Sequence, residues 1–311
     1  MSAQKIYDVV IIGGSYAGLS AALALGRSLR NVLVIDNDNP CNKSAPEAHN
    51  FLTNDGVTPC EIRDKGREQI KQYKTVDFAT DTVTDVVKTE NNHFKILSEK
   101  SKPVKCKKVL FATGITDTLP SIQGFEACWG ISILHCPYCH GYEVANKKLG
   151  VLGNGDMGYE MAKTICHWAG ELTLFTNGAS TLAPEEVLLL NEHNITIIEN
   201  EITNIVHDNG YITELQFEDT EPEKLDALFT QLPFVQQCDI PEKLGCEFTD
   251  NGFIKVSKTM ETSVPGIYAA GDCLTLFRSV ANAVAAGNKA GATINKQFIA
   301  EAFELPEVKI I

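Results

Sequence analysis

No stretch of eighteen consecutive apolar residues occurs in the 311-residue chain, which excludes a membrane-spanning helix. Glycine and proline number only 23 and 12, too few for a linker-like or disordered polypeptide. Positive charge is also short: 27 Lys and Arg face 40 Asp and Glu, a net charge of −13. The one basic cluster, Lys102–Lys108, reads as a solvated strand entry. Nucleic acid and an anionic membrane are therefore not expected as partners. The start, Met1–Tyr7, is short and polar and runs straight into a strand-like segment, so no signal peptide is expected and the protein is read as cytoplasmic. What is present, 44% hydrophobic and 22% charged residues, is ordinary for a globular protein of about two domains.

The ten cysteines fit a reducing compartment, where thiols stay reduced unless they have a job. Eight are scattered: Cys41, Cys60, Cys106, Cys128, Cys166, Cys238, Cys246 and Cys273. Lone cysteines of this kind read as small core hydrophobes. Cys136 and Cys139 form a C-x-x-C pair.

Tyr7-Asp-Val-Val-Ile-Ile12 is a nearly continuous apolar run, as in a strand buried on both faces of a parallel sheet. Gly13-Gly14-Ser15-Tyr16-Ala17-Gly18 follows, then an Ala/Leu-rich helix over Leu19–Arg30 and a second strand, Asn31–Ile35, ending at Asp36. A strand, a glycine turn, a helix and a terminal acid make a dinucleotide site. The glycines let a pyrophosphate approach the helix N-terminus, and Asp36 is placed to accept from a ribose. Ser15 stands where the second glycine of the motif belongs.

The pattern recurs 140 residues later. Lys148–Leu152 is strand-like, Gly153-Asn-Gly155-Asp-Met-Gly158 is a full G-x-G-x-x-G, Tyr159–Ala169 is helical and Leu172–Phe175 is the next strand. Two such units predict two nucleotide-binding domains. Near the C-terminus a strand leads into Gly271-Asp272 and an Ala-rich helix over Ser279–Phe298. That arrangement suits a carboxylate offered to a sugar-alcohol hydroxyl beside phosphate-facing amides.

The C-x-x-C pair has four readings. A redox disulfide suits the short loop, which lowers one thiol's pKa and permits a reducible bridge. Zinc is suggested by the flanking His135 and His140, but adjacent side chains cannot all point at one ion and no second pair has ligand spacing. Cys136–His140 matches the haem attachment signature as written, which would need export and an axial ligand. The fourth reading is a structural pair.

Over nearly its whole length the chain resembles the low-molecular-weight thioredoxin reductases. Gly13–Gly18 with Asp36 resembles their FAD pyrophosphate and ribose site, and Phe111-Ala-Thr113-Gly114 their crossing between domains. Cys136-Pro-Tyr-Cys139 resembles their redox pair, Gly153–Gly158 their second nucleotide fold, and Gly271-Asp272 their flavin ribityl contact. Within that superfamily, Cys136-Pro-Tyr-Cys-His-Gly-Tyr-Glu143 and His49-Asn-Phe-Leu-Thr-Asn-Asp-Gly56 are similar to FAD-dependent dithiol oxidases, which use oxygen as acceptor.

The resemblance implies an α/β protein with two Rossmann-like domains, the second inserted into the first. A discontinuous FAD-binding domain would comprise 1–115 and 235–311, and 116–234 would be an NAD(P)-binding-like domain carrying the C-x-x-C. It implies non-covalent FAD, a homodimer, no metal, and a thiol or disulfide substrate that is a small molecule or a thioredoxin-like protein. By the family pattern Cys139 is the flavin-facing sulfur and Cys136 the interchange thiol. His140 stands where the reductases carry an acidic proton donor, and a structural role capping the next turn is its alternative. His49 could approach the flavin from its loop or lie at the surface. His93, His167, His193 and His207 read as surface or helix-end residues.

One feature of the reductases is missing. They supply arginines for the NADPH 2′-phosphate just after the second strand of the inserted domain, where this chain has Thr176-Asn177-Gly178. No Lys or Arg occurs in the sixty residues from Thr164 to Glu223, which contain twelve Asp and Glu. Nor does an acid stand at Thr176 to select NADH, so NAD(P)H use is left open. Three functions follow. An oxygen-dependent dithiol oxidase is favoured by the missing cation. The alternatives are an NAD(P)H-dependent reductase of thioredoxin or a small disulfide and, outside enzymes, a redox-sensing flavin-binding protein.

Overall fold

The structure, a computed structural model, describes residues 5–303. The first stretch of chain runs β1 (Ile6–Ile12), α1 (Tyr16–Arg27), β2 (Val32–Asp36), α2 (Pro59–Lys71), β3 (Val76–Thr80), β4 (Val83–Lys88), β5 (Phe94–Ser98), β6 (Val104–Phe111) and β7 (Ile115–Asp117). The middle stretch runs α3 (Phe125–Cys128), β8 (Ile133–Leu134), α4 (Pro137–His140), β9 (Lys148–Leu152), α5 (Gly155–Ile165), β10 (Glu171–Phe175), α6 (Pro184–Glu192), β11 (Thr196–Ile198), β12 (Ile202–Asp208), β13 (Tyr211–Phe217), β14 (Glu223–Lys224), β15 (Ala227–Thr230) and β16 (Phe234–Gln236). The last runs α7 (Ile240–Lys243), β17 (Ile267–Ala269) and α8 (Val280–Phe303).

Two compact units result. One comprises the described residues up to Cys41, Cys60–Thr116 and those from Val235 on. The other comprises Asn42–Pro59 and Asp117–Phe234. The segment Asn42–Pro59, which the sequence division counts with the FAD-binding domain, thus groups with the middle stretch.

The first unit is built on a seven-stranded sheet ordered β3-β2-β1-β6-β5-β4. Strands β3, β2, β1 and β6 are parallel, and β5 and β4 add antiparallel. The outer edge of β6 is shared: β5 pairs with its first half and β17 with Val109–Phe111. Val9, Val10 and Ile11 are fully buried, as the apolar run of β1 requires of a strand covered on both faces. Helix α1 begins at Tyr16, directly after the glycine turn, and stops at Arg27, ahead of a left-handed Leu29 (φ 59°). Helix α8 packs on α1 through glycines: a Cβ at Gly287 would stand 2.0 Å from the Ala17 carbonyl oxygen, and one at Gly291 2.8 Å from that of Ala21.

The basic stretch entering β6 is not simply solvated. Lys108 is buried, ion-paired to Glu301 and seated over the Phe298 ring. Lys107 pairs with Asp8 at 2.8 Å.

The second unit has a five-stranded parallel sheet ordered β11-β10-β9-β15-β8 and an antiparallel sheet ordered β12-β13-β14. The turn after β9 opens α5, so the second nucleotide-type unit is also β-turn-α-β. Each unit has its own apolar core. Of the scattered cysteines, Cys106, Cys128, Cys246 and Cys273 are buried as expected. Burial pushes the Cys106 and Cys273 thiols up to about 12. Cys166 and Cys238 are half-buried, whereas Cys41 and Cys60 are exposed, against the core reading. His207 is a half-buried residue of strand β12, where its Nδ1 accepts from the Gly210 N–H at 3.3 Å.

Candidate active site

In the first unit the turn after β1 is tight. Gly13 has φ 104°, and a Cβ there would lie 2.3 Å from the Ala112 carbonyl oxygen, so only glycine lets this turn lie against the end of β6. The Gly14 N–H donates to Asp36 Oδ1 at 3.0 Å. Ser15 is extended, with no side-chain cap. Gly18 in α1 lies so close to Gly13 that a Cβ would stand 1.9 Å from the Gly13 oxygen. Asp36 is not open on all sides: besides Gly14 it is held by Arg67 of α2.

Beyond β6, Thr113 Oγ1 is buried and has no hydrogen-bond partner among the described residues, and a Cβ on Gly114 would meet none of their atoms within 4 Å. Beyond β17, Gly271 is left-handed (φ 94°) and leads to Asp272, whose Oδ2 lies 3.9 Å from Arg278 Nε. These three turns leave the carboxyl ends of neighbouring strands β1, β6 and β17, with β1 and β6 flanking the point where strand order reverses. Open α/β sheets bind their ligands there.

In the second unit Cys136 and Cys139 are joined as a disulfide, with Cα atoms 5.3 Å apart, inside the range for an unforced bridge. Cys136 is the extended residue that caps α4, and its carbonyl accepts from the Cys139 and His140 N–H groups, each at 3.2 Å. Pro137 starts α4, where its missing N–H costs nothing. Tyr138, between the cysteines, is exposed and sits edge-on to Trp168 at 5.6 Å. Trp168 and the Pro137 carbonyl close over Gly141: a Cβ there would lie 2.5 Å from that oxygen and 3.0 Å from Trp168 Nε1. Burial pushes the His140 imidazole below its ordinary 6.5; nearby Glu143 raises it and His49 lowers it further. His49 is 17% exposed, with Nε2 3.4 Å from Glu47 and 3.5 Å from Glu143, and Nδ1 3.7 Å from Asp55.

The second glycine loop keeps the motif's geometry. A Cβ at Gly158 would stand 2.6 Å from the Gly153 oxygen, so α5 packs directly on the end of β9, and Gly155 has φ 55°. Asn154 caps α5: its side-chain oxygen accepts from the Gly155 N–H at 2.9 Å and from the Thr181 N–H at 2.8 Å, and its amide donates to the Ala179 carbonyl at 2.9 Å. After β10, Thr176 Oγ1 donates to the Gly178 carbonyl and Asn177 Oδ1 accepts from the Ile202 N–H, both at 2.7 Å.

Residues 7–287 match the family described as pyridine nucleotide-disulphide oxidoreductase. The chain belongs to that family. It is 32% identical to thioredoxin reductase tcpT of Claviceps purpurea over 313 aligned positions, covering 97% of each chain. Among solved structures it is similar to a thioredoxin reductase TrxB, described as putative, from Bacillus anthracis (TM-score 0.91, 30% identity, 96% of this chain and 100% of that one). It is also similar to an oxidoreductase from Agrobacterium tumefaciens (TM-score 0.89, 35% identity, 95% and 99%). The chain is thus a thioredoxin reductase-like thiol–disulfide oxidoreductase with a Rossmann-type fold.

For a member of this family two groups need a place. An FAD fits the first unit: the glycine turn approaches the start of α1, and the orphaned Thr113 Oγ1 and Arg67 Nε are polar atoms awaiting a partner. A dinucleotide pyrophosphate fits the Gly153–Gly158 loop. An NADP 2′-phosphate does not fit the end of β10, where no cation stands in the sequence and the Thr176 and Asn177 side chains are spent on backbone partners. Glu143, Trp168 and Asn154 were not singled out by sequence reasoning. Glu143 and Asn154 lie within the quoted Cys136–Glu143 and Gly153–Gly158 motifs, but no local signal marks Trp168.

Proposed function

We propose that the chain is an FAD-dependent thiol–disulfide oxidoreductase that works as an NAD(P)H-linked reductase of thioredoxin or of another small disulfide. The observation that carries the reading is the Cys136–Cys139 disulfide directly followed by a half-buried imidazole, His140, in a unit that also holds a complete nucleotide-type glycine loop. The similarity to proteins named thioredoxin reductase supports the reductase direction. FAD would be held by Gly13, Gly14, Ser15, Gly18 and Asp36 at its adenosine and pyrophosphate end, and by Thr113, Gly114, Gly271 and Asp272 towards its flavin. It supplies a carrier for two electrons.

The protein's own part is thiol exchange. Cys136 serves as the interchange sulfur and Cys139 as the sulfur next to the flavin. His140, held neutral at pH 7 by burial, accepts a proton from an incoming thiol and returns it to a departing one.

A second reading, oxidation of a dithiol with oxygen as acceptor, is favoured by the end of β10, which offers a 2′-phosphate no cation. One experiment separates the two. FAD-loaded protein is mixed anaerobically with NADH, NADPH or a dithiol while the flavin absorbance near 450 nm is followed. Bleaching by a nicotinamide nucleotide as fast as turnover supports the reductase. Bleaching by the dithiol alone, reversed by oxygen, supports the oxidase, and a flavin that neither donor bleaches defeats both.

A further inference from the structure

We propose that His49 is a positioning residue of the redox site, acting with Glu143 on the His140 imidazole. The inference rests on the thiol–disulfide reading above. Its basis is the placement of the segment Asn42–Pro59, which leaves the strand order of the first unit and groups with the second.

That segment is folded around His49. The Ala48 N–H donates to the Val57 carbonyl at 2.9 Å and the Gly56 N–H to the Ala48 carbonyl at 3.0 Å, closing a loop. Asn50, left-handed at φ 58°, donates its N–H to Asp55 Oδ1 at 2.7 Å. The side chain so presented is largely buried, and its two ring nitrogens face three carboxylates. Glu47 and Asp55 come from its own segment, and Glu143 comes from the turn after α4. Three carboxylates within 3.7 Å of one imidazole, two from its own loop and one from the turn after α4, make this a built cluster and not a lone surface histidine. Glu143 lies three residues past His140 and four past Cys139. His49, Glu143 and His140 thus form one electrostatic cluster in which the carboxylate raises and the second imidazole lowers the affinity of His140 for a proton.

The proton matters because exchange releases two. When a dithiol meets the oxidised pair, one substrate thiolate attacks Cys136 Sγ. The Cys136–Cys139 bond breaks, and Cys139 leaves as the thiolate. The second substrate thiolate then displaces Cys136, leaving an oxidised substrate and a reduced pair. Of the two protons the substrate thiols give up, one passes to the departing Cys136 thiolate and the other is taken by His140, while Cys139 remains the thiolate. Reduction of a disulfide substrate runs the same steps backwards, with His140 returning its proton. The charges around His140 therefore set the pH at which exchange is fast.

The test uses FAD-loaded protein. The His140 imidazole is titrated by NMR, and the pH profile of Cys136–Cys139 reduction by dithiothreitol is read by quenched thiol alkylation. His49→Asn should raise the His140 midpoint and Glu143→Gln should lower it, two measurable shifts of opposite sign. The acid limb of the exchange profile should move with each midpoint. Glu143 is exposed, so its variant folds whatever the fate of the other and tests the coupling alone. Midpoints equal to wild type, or shifts in one common direction, overturn the inference while exchange itself still runs. A pair that dithiothreitol never reduces defeats the functional reading instead, and the NMR titration then still reads the coupling.

Discussion

Asn154 and Thr181 are tied by two hydrogen bonds: the asparagine oxygen accepts from the Thr181 N–H at 2.8 Å and from its hydroxyl at 3.1 Å. The side chain that caps α5 therefore also fastens the loop after β10, where an adenosine ribose is read in folds of this type. No Lys or Arg stands between Thr164 and Glu223 to meet a phosphate there. A charge-assisted hydrogen bond is worth about 1.5–3 kcal/mol. Two of them would give NADPH a preference over NADH of roughly 10²- to 10⁴-fold, and here that preference should vanish. Calorimetry with 2′,5′-ADP against 5′-AMP should return affinities within about threefold of each other, under 1 kcal/mol. A hundredfold advantage for 2′,5′-ADP would show that cations reach the phosphate from elsewhere.

The cysteine roles predict a trapping experiment. With Cys139→Ser, Cys136 keeps its sulfur and should accumulate a mixed disulfide with the substrate, because the resolving partner is gone. With Cys136→Ser no such adduct should form. Either change should cut turnover by roughly 10³-fold or more, as expected for loss of a nucleophile. Mass spectrometry of the intact protein reads the adduct, and an adduct on Cys139 alone would reverse the two roles.

Acid should destabilise the second unit through His140. Its folded pKa is lowered by burial from 6.5, so between the folded value and 6.5 the unfolded chain binds more protons. Stability is whole above that window and falls as pH drops through it. His140→Gln removes the liability. Its thermal midpoint should fall less than that of wild type between pH 7.5 and pH 5, while exchange slows by about 10²-fold for want of the base. Parallel midpoint curves for the two proteins would refute the burial argument.

Both nucleotide-type turns were legible because every part of each, strand, glycines and helix start, lies within about 30 residues. The redox pair was legible as a spacing. What escaped depends on residues far apart. Lys108 looked solvated because its partner Glu301 is 193 residues away. Cys60 looked like core, yet it is exposed in the first turn of α2, with Arg63 Nη2 3.6 Å from its sulfur. The segment around His49 carries little regular structure, so periodicity could not say with which unit it folds. Asn154 looked like a variable position between two glycines, and its bonds run to Ala179 and Thr181 across a whole α-β unit. The early start of α1 has a local cause: the helix opens as soon as the Gly13–Ser15 turn ends, before the first strongly apolar residue that marks it in sequence.

Gly287 is the position where two opposing effects can be weighed. It lies within α8, where alanine is intrinsically favoured over glycine by about 0.8–1.0 kcal/mol. Exposed helix glycines replaced by alanine therefore gain stability. Here the new Cβ would stand 2.0 Å from the Ala17 carbonyl oxygen and 2.7 Å from its carbon. Those are backbone atoms of the first turn of α1 and cannot swing aside. Forcing the helices apart should cost about 1–3 kcal/mol, and more where backbone must move, so the sign is set by the clash. Gly287→Ala should lower the thermal midpoint. The displaced turn directly follows Gly13–Ser15, so the variant should also lose FAD on gel filtration more readily than wild type. Glycine to alanine at Gly245, where no atom stands within 4 Å of the new Cβ but φ is 83°, is the control for backbone strain alone and should leave FAD retention unchanged. A Gly287→Ala protein as stable and as yellow as wild type would mean that α8 does not press on α1 as closely as these distances require.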